Sequence, residues 1–219
     1  PRPGCAPPAR IDRCAARMTR RVIVTRPAHE GVRWVDALKD AGLEAVALPL
    51  IAIAPLQDTA ALAAARRTVD RRDALMFVSS AAASHFVDAQ VVAALLSDPA
   101  PRCWATGPGT VRALKEAGVP ATCIDAPGDE AAQFDSEALW AVVRPQVVAG
   151  TRVLIVRGGD VAGQPGGRDW LARTVQAAGG AIEVVASYRR LAPIFGEAER
   201  RLASRGATDG SVWLFSSSE

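Results

Sequence analysis

Short polar segments follow five apolar runs of this 219-residue chain, and their residue types suit the binding of an anionic ligand. They supply serine and threonine hydroxyls, arginine guanidinium groups, and glycines that leave backbone N–H groups accessible. Such groups hold carboxylates well, but almost none of them can move a proton or attack carbon. The runs with their polar ends are RVIVTRP (21–27), ALMFVSS (74–80), RCWATGPGT (102–110), TRVLIVRGG (151–159) and SVWLFSSS (211–218).

The glycine-containing turn at 107–110 is a candidate anion site. Gly107 lets a ligand approach the backbone, Thr110 adds a hydroxyl, and the N-terminus of the following helix favours negative charge. The turn is not a dinucleotide fingerprint, because Arg112 stands where GxGxxG needs a glycine, and no GK[ST] follows as in a P-loop. An ordinary tight turn is an equally good interpretation.

Two arginines, Arg26 and Arg157, directly follow apolar strands and should project at the end of a sheet. Because guanidinium pairs with carboxylate through two hydrogen bonds, we expect both arginines to bind ligand, together with Gly158. A surface ion pair is the alternative interpretation of each arginine.

The serines Ser79 and Ser80, and those at 216–218, precede segments where a helix is expected to begin. At least one serine in each group is expected to cap a helix, and the others can bind ligand. A nucleophilic serine is not predicted, because the chain lacks GxSxG and neither histidine has an obvious partner carboxylate. His29 and His85 are interpreted as helix-start or surface residues.

The single tyrosine, Tyr188, ends a predicted strand. A phenol there can donate or accept a hydrogen bond and can assist proton transfer. Packing of the aromatic ring where the chain crosses between two parts of the fold explains the same position equally well.

Apolar strands alternate with helices of about three turns, which predicts repeated βαβ units and parallel sheets. Ligands bind at the carboxyl ends of the strands in such sheets, where the polar segments lie. The strands are predicted at 21–26, 44–53, 74–79, 102–106, 121–125, 152–157, 181–188 and 211–216, and the helices at 31–41, 58–69, 81–96, 109–117, 136–148, 168–178 and 196–205.

Composition excludes several classes of protein. The chain is 49% hydrophobic and 22% charged, as expected of a protein with a buried core, and no apolar run approaches the roughly 20 residues of a membrane span. The net charge of +3 comes entirely from residues 1–17, since the remainder holds 22 residues of each sign, so no nucleic-acid partner is expected. No cysteine or histidine spacing suits a metal, and without a secretion signal we expect a cytoplasmic location.

The chain organisation suggests two lobes. The segments at 51–58 and 188–197 each leave a strand through a proline and are predicted to cross between the lobes. Residues 18–53 and 193–219 then form a discontinuous first lobe, and 54–192 form the second with its linkers. Residues 1–17 are interpreted as a disordered or non-native extension.

The chain stops at Glu219, where a helix should follow the last serines. We therefore expect a C-terminal truncation that leaves the first lobe incomplete, weakly stable and weakly active.

The ordered set of segments resembles bacterial uroporphyrinogen-III synthase over nearly all of 18–219. The segments that carry the resemblance are VIVTRP, AGLEAVALPLIAI, FVSSAAA, ATGPGTVRALKEAGV, VLIVRGG, VVASYRR and WLFSSS. The resemblance implies two flavodoxin-like or doubly wound lobes joined by a two-stranded linker. It also implies a monomeric, cofactor-free enzyme of tetrapyrrole and heme biosynthesis, which cyclises hydroxymethylbilane with loss of water and inversion of the D ring.

The resemblance also assigns residues. Tyr188 matches the family's tyrosine and would assist departure of the hydroxyl. The substrate's carboxylates would be held between the lobes by residues of both, mostly through amides and hydroxyls. These matching positions are Thr25, Arg26, Ser79, Thr110, Ser216 and Ser218. A two-lobed carboxylate-binding protein without catalysis is the alternative, but it predicts a secretion signal, which is absent from this sequence.

Overall fold

The computed structural model describes residues 20–128 and 130–215, which fall into two compact units. Unit 1 holds 20–50 and 194–215, and unit 2 holds the described part of 51–193. The strands are β1 (Val22–Val24), β2 (Ala45–Ala47), β3 (Ala52–Ala54), β4 (Ala74–Phe77), β5 (Arg102–Ala105), β6 (Ile124–Asp125), β7 (Arg152–Gly159), β8 (Ala181–Leu191) and β9 (Val212–Leu214). The α-helices are α1 (Ala28–Asp40), α2 (Ala60–Arg67), α3 (Ser80–Phe86), α4 (Ala89–Leu95), α5 (Pro108–Glu116), α6 (Ser136–Val143), α7 (Trp170–Ala177) and α8 (Glu197–Gly206).

Unit 1 has a parallel three-stranded sheet in the order β2-β1-β9. Gly31, Val35 and Leu38 recur along α1 with helical spacing, so one face of this helix packs toward the sheet residues Val22 and Val24. Gly42 adopts a φ of +79° just after α1 and thereby ends the helix.

Unit 2 has a six-stranded sheet in the order β3-β8-β7-β4-β5-β6. Five strands are parallel, and β3 alone runs antiparallel, against the end of β8. Numbered along the chain, the parallel strands have the order 3-2-1-4-5, which is doubly wound and differs from the flavodoxin order. The sheet is therefore mixed, whereas the sequence predicts only parallel sheets.

Helices cover both faces of the unit 2 sheet. Leu75 and Phe77 of β4 pack with α2 to α5, while Met76 between them packs with α6 and α7. This alternation follows from the two-residue period of a strand. Three consecutive buried alanines, at 81–83, allow the short α3 to lie close to the sheet.

Several predicted elements differ from those observed. The strand predicted at 44–53 is two strands, because the chain passes from unit 1 to unit 2 between them. The helix predicted at 81–96 is two helices, because Asp88 caps a new one by accepting a hydrogen bond from Val91 N–H. Residues 121–125 form a 3₁₀ turn and a two-residue strand instead of one strand, and β8 continues to Leu191 because its end pairs with β3.

The remaining elements lie where they are predicted, with ends shifted by at most five residues. Within 20–128 and 130–215, no helix is long and apolar enough to cross a membrane.

Two ion pairs of the unit 2 sheet lie near the amino ends of its strands. Arg102, at the start of β5, binds both carboxylate oxygens of Asp125, at 2.8 and 2.6 Å. Asp73 precedes β4 and accepts hydrogen bonds from Arg152, which hold the pKa of the Asp73 carboxyl below its usual value. These charged pairs are therefore at the edge opposite to the hydroxyl-rich strand ends.

Burial makes Cys103 of β5 chemically inert in the folded protein. Its side chain is fully buried, and desolvation raises the pKa of the thiol to about 12. We expect iodoacetamide at pH 8 to leave Cys103 unmodified in the native protein and to modify it in urea. Peptide mass spectrometry gives the rate for each cysteine, with half-buried Cys123 as the internal comparison. Equal native rates at Cys103 and Cys123 would contradict this prediction.

Candidate functional site

The carboxyl ends of β4, β5 and β7 lie side by side in unit 2. Phe77 of β4 is the register partner of Ala105 on one side and of Val156 on the other. Beyond the strands, Thr106 Oγ1 donates to Val78 O at 3.3 Å, so the polar segments stay adjacent. From β4 the chain leads to β5 on one side, whereas from β7 it leads to β8 on the other. The strand order thus reverses between β4 and β7, and ligands bind at such a position in doubly wound sheets.

Two hydroxyls, those of Tyr188 and Ser79, meet at this position. Tyr188 Oη lies 3.2 Å from Ser79 Oγ, and either oxygen can be the donor. Ser79 also caps α3, because its Oγ accepts a hydrogen bond from Ala82 N–H at 3.1 Å. The serine that caps the helix and the tyrosine with a polar role, which the sequence suggests separately, therefore contact each other.

Tyr188 is more enclosed than its expected place at the end of a strand suggests. Strand β8 continues to Leu191, and Tyr188 is only 2% exposed within the core beneath α3. Its ring centroid lies 5.8 Å from that of His85, and the Arg190 guanidinium carbon lies 5.9 Å from its ring. Ser79 is half-buried, so it is the more exposed residue of the hydroxyl pair.

The glycine turn after β5 lies beside this pair. Gly107 precedes α5 in extended backbone, and Thr110 in the first turn of α5 is 4% exposed. A Cβ built on Gly107 would lie 3.0 Å from Phe134 Cβ, so a larger residue there would require Phe134 to shift by a few tenths of an ångström. Ser80, the first residue of α3, is half-buried next to Ser79.

Arg157 lies within β7 and not beyond its end, contrary to the sequence expectation. Its side chain is 8% exposed, and its Nη1 donates to Asp169 Oδ1 at 3.1 Å. Its Nη2 donates to Arg168 O at 2.6 Å, so the guanidinium ties β7 to the start of α7. Both terminal nitrogens are thus engaged within the chain in this structure. Gly158, the next residue, is buried.

Unit 1 holds two of the remaining predicted site residues. Thr25, after β1, is 6% exposed, and its Oγ1 donates to Leu214 O at 2.9 Å. Arg26 binds Glu30 and lies over the Trp34 ring, with its guanidinium carbon 4.9 Å from the ring centroid. Ser216 and Ser218 lie outside the described residues.

Sequence reasoning missed three neighbours of the candidate residues. His85 was interpreted as a surface or helix-start residue, yet it lies beside Tyr188. Phe134 covers Gly107, and Asp169 binds Arg157. No local pattern signals these contacts, because the partners come from distant segments.

A surface groove of about 340 Å³ runs along α5, and neither Ser79 nor Tyr188 lines it. It includes two cationic side chains and is lined by Pro108, Val111, Arg112, Lys115, Glu116 and Pro127. We place the candidate site at the strand ends instead, because the hydroxyl pair and the reversal of strand order coincide there. Among the described residues, no group of three or more His, Cys, Asp or Glu side chains could hold a metal.

Fold and site together define a class: an α/β protein with a doubly wound unit and hydroxyl and amide groups at the carboxyl ends of its strands. Comparison with known proteins narrows this class. The model of the uroporphyrinogen-III synthase HemD family matches residues 32–219. The uroporphyrinogen-III synthase of Salmonella typhimurium is 33% identical over 190 residues, which is 85% of this chain and 72% of the relative.

One solved structure supports the fold. A crystal structure of a mutant uroporphyrinogen III synthase from Thermus thermophilus matches with a TM-score of 0.52 at 16% identity, covering 87% of this chain and 69% of that one. The chain belongs to the uroporphyrinogen-III synthase family, the cyclising lyases of tetrapyrrole biosynthesis.

Proposed function

We propose that the strand ends of unit 2 bind the carboxylates of hydroxymethylbilane and that Tyr188 and Ser79 assist the departure of its hydroxyl. The single observation that supports these roles most is the 3.2 Å approach of Tyr188 Oη to Ser79 Oγ where the strand order reverses. The overall reaction is that of the family: the linear tetrapyrrole closes to uroporphyrinogen III with inversion of the D ring.

The reaction needs a proton at the oxygen of the substrate's leaving hydroxyl group. The substrate's hydroxyl leaves as water, so a hydrogen-bond donor must approach its oxygen as the carbon–oxygen bond breaks. Tyr188 is buried, whereas Ser79 is half-buried and hydrogen-bonded to it. We propose that the Ser79 hydroxyl donates a hydrogen bond to the leaving oxygen. The Tyr188 hydroxyl in turn donates a hydrogen bond to Ser79 Oγ.

The rest of the site positions a reactive chain. Backbone N–H groups at the start of α5, with Gly107 and Thr110, suit one carboxylate, because a helix N-terminus carries partial positive charge. Ser80 and Gly158 are proposed ligands next to the hydroxyl pair. Thr25, Arg26, Ser216 and Ser218 are the proposed ligands from the first lobe, and Arg157 is proposed to act by anchoring the start of α7. Holding the substrate so that the correct carbon attacks would provide most of the rate.

The two units correspond, in this proposal, to the two lobes expected from the sequence. Residues 18–53 and 193–219 form the first lobe and 54–192 the second, with β3 and the end of β8 as the two-stranded linker. Their antiparallel pairing beside the points where the chain changes unit supports this assignment. We propose a monomeric, cytoplasmic enzyme that needs no nucleic-acid partner and no cofactor.

Freshly prepared hydroxymethylbilane tests this function directly. We expect the 219-residue protein to yield uroporphyrinogen of type III, measured by chromatographic separation of the oxidised isomers. A boiled sample gives the background, because the spontaneous reaction yields type I. Binding without any type III product would favour the non-catalytic carboxylate-binding protein and contradict the proposal.

A further inference from the structure

Strand β8 contains one extra residue directly before Tyr188. Parallel pairing with β7 runs without a break from Arg152–Ala181 to Arg157–Ala186, and then Gly158 pairs with Tyr188. Ser187 is therefore a bulge, which breaks the alternation of side chains along the strand. Val185 faces the α3 side of the sheet, and side chains alternate between the two faces along a regular strand. Without the bulge, Tyr188, three residues later, would therefore face the opposite side, where α6 and α7 lie.

The bulge directs two consecutive side chains to the same face. Ser187 Oγ donates to Ala82 O of α3 at 3.2 Å, and Tyr188 Oη meets Ser79 Oγ at the start of that helix. The bulge is thus what brings the phenol to the hydroxyl with which it pairs.

The phenol then occupies the space where a side chain of residue 158 would be. A Cβ built on Gly158 has the ring of Tyr188 as its nearest neighbour, with Cζ at 2.6 Å, Cε2 at 2.8 Å and Oη at 2.8 Å. No Cβ can approach other atoms so closely, so any larger residue would push the phenol away from Ser79.

We infer that Gly158 and the Ser187 bulge are positioning residues, which hold the Tyr188 hydroxyl against Ser79. This inference rests on the proposed role of Tyr188 and changes that of Gly158. The glycine is needed less to let substrate approach the backbone than to let the phenol lie across it.

The variant Gly158→Ala tests the inference, with Gly166→Ala as its matched control. Apart from the two neighbouring residues, the described chain has no atom within 4 Å of a Cβ built on Gly166, and the φ of Gly166 is not in the left-handed region. Because Tyr188 is the only tyrosine of the chain, protein labelled with ¹³Cζ-tyrosine gives a single NMR resonance. We expect Gly158→Ala to shift this resonance, as Ser79→Ala should, and Gly166→Ala to leave it in place.

Steady-state kinetics test whether the contact between Tyr188 and Ser79 matters for turnover. We expect Gly158→Ala to lower kcat about 10- to 100-fold with little change in KM, because small misplacements of a reacting group are costly. In a Tyr188→Phe background, the same change should lower kcat by less than about threefold, since coupled residues are not additive. The inference would be overturned if Gly158→Ala left the tyrosine resonance unmoved or raised KM at unchanged kcat. It would also be overturned if Gly158→Ala lowered kcat by the same factor in the Tyr188→Phe background as in the wild-type protein.

If Gly158→Ala does not fold, a double variant provides a second test. The double variant Gly158→Ala/Tyr188→Ala removes the ring that the new Cβ would meet, so it should fold as stably as Tyr188→Ala alone in urea unfolding. If the double variant is also unfolded, the inference is wrong. The resonance and unfolding data do not depend on turnover, so they decide the contact even if wild-type protein makes no type III product.

Discussion

Tyr188→Phe is expected to lower kcat for hydroxymethylbilane about 100-fold, at the low end of what a positioned proton donor contributes. The substitution removes the oxygen that lies 3.2 Å from Ser79 Oγ and keeps the ring that fills the core. KM should change little, because the buried ring does not reach solvent. Slower turnover leaves more substrate to cyclise spontaneously, so the proportion of type I product should rise. Steady-state kinetics with isomer separation measures both effects.

A matched control separates catalysis from the general loss of a buried hydroxyl. Thr151, at the amino end of β7, is also buried, and its Oγ1 accepts a hydrogen bond from Val148 N–H at 2.9 Å. Thr151→Val should cost stability of about 1 kcal/mol, as for a typical hydrogen bond, while kcat stays unchanged. Equal kcat for Tyr188→Phe and the wild-type protein would remove the phenol from the mechanism.

The hydroxyl pair also explains how much of the site could be predicted from the sequence. The polar segments after β1, β4 and β5 could be placed at strand ends, because a buried apolar run followed by small polar residues has few other structures in an α/β chain. Ser79 and Tyr188, however, are 109 residues apart. Their contact depends on a one-residue bulge, which reverses the side-chain direction that simple alternation predicts.

Arg157 shows a related limit of sequence reasoning. Its position after four apolar residues predicts an arginine at the open end of a strand, but β7 continues to Gly159. Arg157 then lies within the strand, and its guanidinium binds Asp169 and the Arg168 carbonyl. An arginine that binds a carboxylate ligand and one that binds a carboxylate of its own chain give the same local pattern, since the chemistry of both is the same.

Trp104→Ala is expected to lower the free energy of unfolding of unit 2 by about 3–5 kcal/mol. Trp104 is fully buried in β5, where its ring packs with Leu139 and Leu171 on the α6–α7 face. The substitution would leave a cavity in a close-packed core and remove the indole N–H that donates to Gln146 Oε1 at 2.9 Å. Urea unfolding, with hydrogen exchange of peptides from unit 2, measures this loss.

The control for Trp104 is Trp170→Ala, because Trp170 begins α7 in the same unit and is 37% exposed. Its loss should cost less than about 1 kcal/mol, as for a surface position. Trp104 and Tyr188 lie on opposite faces of one sheet, so the two predictions can be separated. At low temperature, Trp104→Ala should keep the wild-type kcat per folded molecule, whereas Tyr188→Phe should lose kcat and keep most of its stability. If Trp104→Ala lowered kcat as strongly as Tyr188→Phe, activity would depend on general packing of unit 2 and not on the hydroxyl pair.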